Sequence, residues 1–142
     1  MSTKFTARSS ITINASPAMV WKALTDPAMI KQYLFGTEVV SDWKVGSEII
    51  YKGVWEGKTY EDKGIILKIE PEKLLETNYW TSFSGLPDSP ENYQKVTYQL
   101  SRDGDNTVLT ITQDGIPTDE ARTHSETNWA MVLNGLKKLL EQ

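Results

Sequence analysis

Apolar positions recur with two different spacings along this chain, and the switches between them mark its elements. Ile11 and Ile13 flank Thr12 in a β-branched run, a two-residue period that predicts a strand over Lys4 to Asn14. The period changes at Ser16-Pro17. The serine oxygen caps free N–H groups, and proline at the first helical position gives up no bond that the helix would have made. Val20, Trp21 and Leu24 then share one helical face. Asp26-Pro27 repeats the device and starts a second short helix, whose apolar face carries Met29, Ile30, Tyr33 and Leu34 before Gly36 closes it.

From Glu38 the two-residue period returns. Val39-Val40 leads into Trp43-Lys44-Val45-Gly46, a turn with a tryptophan anchor, after which Ile49, Tyr51, Gly53 and Trp55 alternate with Glu48, Ile50, Lys52 and Val54. Glu56-Gly57-Lys58 reads as a hairpin turn, because glycine accepts positive φ without a steric penalty. Thr59 to Glu70 returns as a strand, Pro71-Glu72-Lys73 turns again, and Leu74 to Trp80 follows. Ser82 to Asn92 is the long irregular segment, with Gly85, Pro87 and Pro90. Val96, Tyr98 and Leu100 alternate, Asp103-Gly104-Asp105-Asn106 signals a hairpin, and Val108 to Gln113 completes it. Gly115-Ile116-Pro117 is expected to break this last strand.

The end of the chain is helical again. Thr118-Asp119-Glu120 can cap and charge a helix start, and Thr123 with Glu126 offers a second capping box. Trp129, Val132, Leu133, Leu136, Leu139 and Leu140 form an apolar stripe, with Lys137 and Lys138 near the negative end of the helix dipole. Strands at hairpin spacing with no helices between them predict an antiparallel sheet. The expected fold class is therefore α+β, a helix-grip fold. A curved antiparallel sheet of about seven strands wraps around a long C-terminal helix, and two short helices follow the first strand. Residues 1–142 are read as one domain.

Composition narrows the chemistry. There is no cysteine, which removes disulfides, thiolate catalysis and the usual ligands of structural zinc. The net charge is −4, and Lys and Arg are scattered, so neither a nucleic-acid partner nor an anionic membrane surface is expected. No apolar run reaches the roughly 20 residues of a membrane span. The N-terminus from Met1 to Arg8 has no apolar core of a secretory signal, so a cytoplasmic location is expected. No Gly-x-Ser-x-Gly elbow, phosphate-binding glycine loop or metal-spaced histidine cluster is present, and no cofactor or metal is expected.

The order of elements resembles the START-like superfamily, also called SRPBCC or Bet v-like. The motifs are similar to those of one branch, the homologues of the activator of heat-shock protein 90 ATPase. Ala15 through Pro27 resembles the family's helix entry, and Trp43-Lys44-Val45-Gly46 its tryptophan-glycine turn. Gly64 through Pro71 with Leu75 resembles its central hairpin, and Trp129 through Leu140 its terminal helix. The resemblance implies a sheet wrapped around the terminal helix, often with a hydrophobic cavity between them.

On that frame, five Trp and six Tyr supply candidates for a cavity wall. Tyr51, Trp55, Tyr79 and Trp129 fall on predicted inner faces, with Leu133 on the helix stripe. Gln113, if it shares the inward phase of Leu109 and Ile111, and Tyr60 are candidate polar anchors. Adjacent residues on a strand face opposite ways, so of Glu61 and Asp62 one points inward. Asp62 is a buried acid if it shares the phase of Gly64, and otherwise an exposed hairpin acid. The 82–92 loop can serve as an entrance lid through Phe83 and Leu86, with Tyr33 and Phe35 on the opposite rim. His124, the one histidine, falls near the start of the terminal helix with no partner identifiable from sequence.

The leading expectation is non-enzymatic binding of a small hydrophobic or aromatic ligand between the sheet and the terminal helix. An enzyme of cyclase/aromatase or hydrolase-like type would need Asp62, Tyr60 and His124 to converge on the cavity. A chaperone-linked or other protein-interaction module would need an exposed apolar patch. The protein partner is unknown, and a monomer or weak homodimer is expected.

Overall fold

A computed structural model describes residues 4–34, 36–81 and 86–141; for Trp55 it describes the backbone alone. The elements run β1 (Phe5–Ile13), α1 (Pro17–Thr25), α2 (Pro27–Tyr33), β2 (Glu38–Ser41), β3 (Glu48–Trp55), β4 (Lys58–Glu70) and β5 (Leu74–Tyr79). A 3-10 turn (Pro90–Asn92), β6 (Gln94–Asp103), β7 (Asn106–Ile116) and α3 (Asp119–Leu140) complete the chain. The strands form a seven-stranded antiparallel sheet in the order β1-β7-β6-β5-β4-β3-β2. This is the α+β helix-grip fold.

Local chemistry sets the helix starts. Ser16 Oγ accepts from the Met19 N–H at 3.3 Å, and Asp26 Oδ1 accepts from the Ala28 N–H at 3.0 Å, each immediately before a proline. Thr118 caps α3 by accepting from the Ala121 N–H at 3.1 Å. The Thr123–Glu126 box is therefore not a helix start: both residues lie inside α3. Glu126 instead accepts from the Arg122 guanidinium at 2.7 Å and from the Arg8 N–H at 3.0 Å. At the β3–β4 turn Glu56 and Gly57 both take positive φ, 50° and 79°, the signs that a two-residue hairpin with right-handed strand twist requires.

The last strand is longer than its sequence suggests. Gly115 does not break β7. Its φ of +85° carries an irregularity opposite the register shift between Phe5 and Ala7, after which Ile116 pairs with Phe5. Pro117, which has no N–H for the ladder, is where the strand stops.

Curvature originates in β4. Its first half pairs with β3 (Glu48 opposite Ile65 through Trp55 opposite Lys58), and its second half pairs with β5 from Ile66 onward. Gly64 stands at the handover. A Cβ there would lie 1.9 Å from the Asn78 carbonyl oxygen, so the bend needs a residue without a side chain.

The core gathers where α3 meets the concave face. Leu133 and Leu136 pack with Ile13, Val20, Ala23, Leu24, Val96, Leu100, Leu109 and Ile111. A second cluster of Ile30, Val39 and Ile49 holds α2 to the β2–β3 end. α3 also covers the β1 edge of the sheet. Glu126 accepts from the Arg8 N–H, Glu141 accepts from the Asn14 N–H at 2.7 Å, and Lys137 Nζ donates to the Thr12 carbonyl at 2.9 Å. These contacts satisfy backbone groups of an edge strand that would otherwise invite pairing.

Candidate functional site

The first half of α3 and the tyrosine-bearing end of the sheet leave a cavity of about 1470 Å³ between them. Its sheet wall is made by inward positions of β3 to β7. Ile49 and Tyr51 come from β3, Tyr60 and Asp62 from β4, and Thr77 and Tyr79 from β5. Val96 and Tyr98 lie on β6, Leu109, Ile111 and Gln113 on β7. The opposite wall is α3, through Trp129, Val132, Leu133 and Leu136 deep inside and Ala121 and His124 toward the helix start.

Of the residues expected here, Tyr51, Tyr60, Asp62, Tyr79, Gln113, Trp129 and Leu133 all line this cavity, with Tyr33 and Leu86 on its wall as well. Leu133 is 1% exposed and belongs as much to the core as to the open space. The side chain of Trp55, and residues Phe35 and Phe83, lie outside the described residues. Glu61 is exposed and Asp62 is 7% exposed, so the inward phase shared with Gly64 is the one adopted.

Sequence reasoning passed over Tyr98, Trp43, Trp80 and Thr37, which also line the cavity. Tyr98 carried a readable signal, since it stands in phase between Val96 and Leu100. Thr37 and Trp80 did not, because one lies in a connection and the other ends a strand.

Polar groups in the wall are few and held in place. Tyr79 donates to Asp62 Oδ2 at 2.9 Å, and its ring meets Tyr51 edge-on, with centroids 6.0 Å apart. Tyr60 and Thr37 share a hydroxyl–hydroxyl bond of 2.6 Å. Trp129 Nε1 donates to Gln113 Oε1 at 2.8 Å, Gln113 Nε2 donates to Gln94 Oε1, and the Trp129 ring meets Tyr98 at 89°. Tyr33 donates to the Ala23 carbonyl at 2.8 Å, which ties α2 to α1.

Burial raises the phenols: Tyr98 is pushed up to about 12. Tyr51 is held well above its ordinary value, mainly by burial and then by neighbouring tyrosines. Tyr33 rises through burial and, less, Tyr98; Tyr79 rises through burial and the negative charge of Asp62. These hydroxyls therefore remain protonated donors throughout the neutral range.

Residues 86–93 are held against the neighbouring strands beside the cavity. Trp80 Nε1 donates to the Leu86 carbonyl at 3.2 Å, and Asn92 Nδ2 to the Pro87 carbonyl at 2.9 Å. Asp88 pairs with Lys63 and accepts from the Tyr93 hydroxyl. Those two contacts, Lys63 first, hold the Asp88 carboxyl below its usual value.

The enzyme candidates share the cavity but not a cluster. Asp62 is buried on β4, where Tyr79 donates to it, whereas His124 is exposed on α3. Among the described residues no group of three or more His, Cys, Asp or Glu is placed to hold a metal ion. Among them, too, no helix is long and apolar enough to cross a membrane.

The profile of the family described as Activator of Hsp90 ATPase homolog 1-like protein matches residues 14–141. The chain belongs to that family. The solution structure of ChR145 from Cytophaga hutchinsonii is similar at 46% identity and a TM-score of 0.86. That match covers 99% of this chain and 97% of the other. The solution structure of the Aha1 dimer from Colwellia psychrerythraea is 25% identical with a TM-score of 0.75, covering 96% of each chain. The crystal structure of MLL2253 from Mesorhizobium loti, 23% identical over 96% of this chain and 97% of that one, shares the fold at a TM-score of 0.79. No curated protein matches the sequence.

Proposed function

We propose that this chain acts as a single binding domain, without chemistry of its own, for a small apolar or aromatic molecule held between the sheet and α3. The observation that carries the reading is the cavity. Its volume of about 1470 Å³ exceeds the range of roughly 300–1,000 Å³ usual for small-molecule sites. Its walls are aliphatic and aromatic, with a few polar groups fixed by hydrogen bonds, the pattern that gives such a site both affinity and orientation. The candidate contacts are Tyr51, Tyr60, Asp62, Tyr79, Gln113, Trp129 and Leu133, with Tyr33 and Leu86 at the rim.

Titration with N-phenyl-1-naphthylamine, a dye that brightens in apolar surroundings, tests this reading. The dye should brighten with the native chain, and most of the gain should vanish in Ala121→Trp, which places an indole in the opening while leaving the core alone. No brightening with the native chain, or equal brightening with both, would count against the proposal.

A chaperone-linked role is the second reading, and the family description is what favours it. Stimulation of an Hsp90-type ATPase by the chain would support it. The dimer among the relatives similarly makes a weak homodimer worth testing by sedimentation.

A further inference from the structure

Among the described residues Asp62 is the one charged side chain that the fold buries deeply, at 7% exposed, and it lines the cavity from β4. Burying an acid costs stability, because a carboxylate gives up strong hydration. Its hydrogen bond explains the position but not the charge. Oδ2 accepts from the Tyr79 hydroxyl at 2.9 Å, and the amide oxygen of an asparagine would accept from the same donor. A charge kept in the wall of a largely apolar cavity is one of the few fixed polar features that an entering molecule meets.

The surroundings favour one sign of charge. Tyr51 stands directly opposite Asp62 in the β3–β4 ladder, Tyr79 on β5 holds the carboxylate, and the two rings meet edge-on with centroids 6.0 Å apart. A cation at the carboxylate would have these rings as neighbours, and aromatic π-systems attract cations as well. Hydrogen bonds from neutral hydroxyls orient a carboxylate without cancelling its charge. Lys63, the next residue on β4, faces the other way and pairs with Asp88. At exposed positions Glu91 and Glu120 line the same cavity, against Lys4 as its one lysine or arginine among the described residues, so the field draws cations in. An anionic head group would instead meet a buried acid where water screens poorly.

We propose that Asp62 selects the charge of the ligand, and that the molecule held in this cavity carries a cationic amine on an apolar, aromatic body. The inference rests on the binding function proposed above and narrows its ligand class. The ammonium meets the carboxylate while the hydrocarbon part lies along the aliphatic and aromatic walls. A fatty acid is disfavoured by the same buried charge.

Three matched probes test this: 2-naphthylmethylamine, which is an ammonium at neutral pH, its uncharged isostere 2-ethylnaphthalene, and the anion 2-naphthoate. Each is titrated calorimetrically into the native chain and into Asp62→Asn, which keeps an acceptor for the Tyr79 hydroxyl and removes the charge. A hydrogen bond to a charged group is worth about ten- to a hundredfold in affinity. The native chain should prefer the ammonium over the ethyl compound by that factor and bind the naphthoate most weakly. Asp62→Asn should bind the ethyl compound as the native chain does and lose the ammonium preference. The order of the three probes on the native chain does not depend on the variant folding. Equal binding of the ammonium and ethyl compounds by the native chain, tighter binding of the naphthoate, or an ammonium preference that survives in Asp62→Asn overturns the charge assignment alone. If the native chain binds none of the three, the binding function falls and takes the assignment with it.

Discussion

Replacing Gln113 by Leu removes the group that latches α3 to the sheet within the cavity. The side chain is 9% exposed; its Oε1 accepts from the Trp129 indole at 2.8 Å, and its amide donates to Gln94. Leucine is of similar size and suits the surrounding aliphatic wall, so little packing is lost. The cost comes from the half-buried indole N–H, which then faces no acceptor, at about 1–3 kcal/mol. Gln94 is half-buried and can turn toward water, so its share is smaller. Trp129→Phe removes the donor instead and also loses part of the edge contact with Tyr98. If the latch is real, the two substitutions are not additive: the double variant should be about 1 kcal/mol more stable than the sum of the single losses implies. Urea unfolding followed by far-ultraviolet circular dichroism gives all four stabilities without relying on Trp emission. A coupling within about 0.3 kcal/mol of zero would show that the indole and the amide act independently, and the latch would have to be abandoned.

Two further outcomes follow from the same geometry. The buried tyrosines have folded pKa values raised above the ordinary value of 10.0, Tyr98 to about 12. Their contribution is complete below pH 10 and is lost as pH rises toward and through the folded values. The chain should therefore unfold in alkali between about pH 10 and 12, and phenolate absorbance should rise together with that transition; a smooth titration of all six tyrosines near pH 10 with the fold intact would refute it. Gly64→Ala should destabilise the chain by at least about 1–3 kcal/mol, because the added Cβ meets the Asn78 backbone carbonyl, which cannot swing aside. An unchanged urea midpoint would mean that β4 does not bend there as described.

Much of the architecture was legible because its signals are local. Ser16-Pro17 and Asp26-Pro27 carry their own capping chemistry, and the hairpin turns need particular backbone signs that Gly57 and Gly104 supply. Misplaced boundaries came from competition with tertiary pairing. Gly115 looks like a breaker in isolation, yet β1 lies alongside and draws Ile116 into the ladder. Thr123 and Glu126 match a capping box, but Thr118 starts the helix one turn earlier and Arg8 engages Glu126.

The site was legible in phase and not in depth. Strand alternation puts Tyr51, Asp62, Tyr79 and Gln113 on the inner face, and it also put Tyr98 there, where the sequence reading left it unused. What alternation does not encode is how far apart the two walls stand. That distance depends on the bend at Gly64 and on where the Gln113–Trp129 bond fixes α3. The edge-on contact of Tyr51 with Tyr79 across the intervening β4 is a consequence of curvature, which no single stretch of the chain reveals.

A crystal structure grown with N-phenyl-1-naphthylamine tests the central claim most directly. The expected result is one naphthalene ring system between the sheet and α3, bounded by Tyr79 and Trp129. An interior closed by side chains turned inward, with α3 seated on the sheet along its whole length, would contradict it.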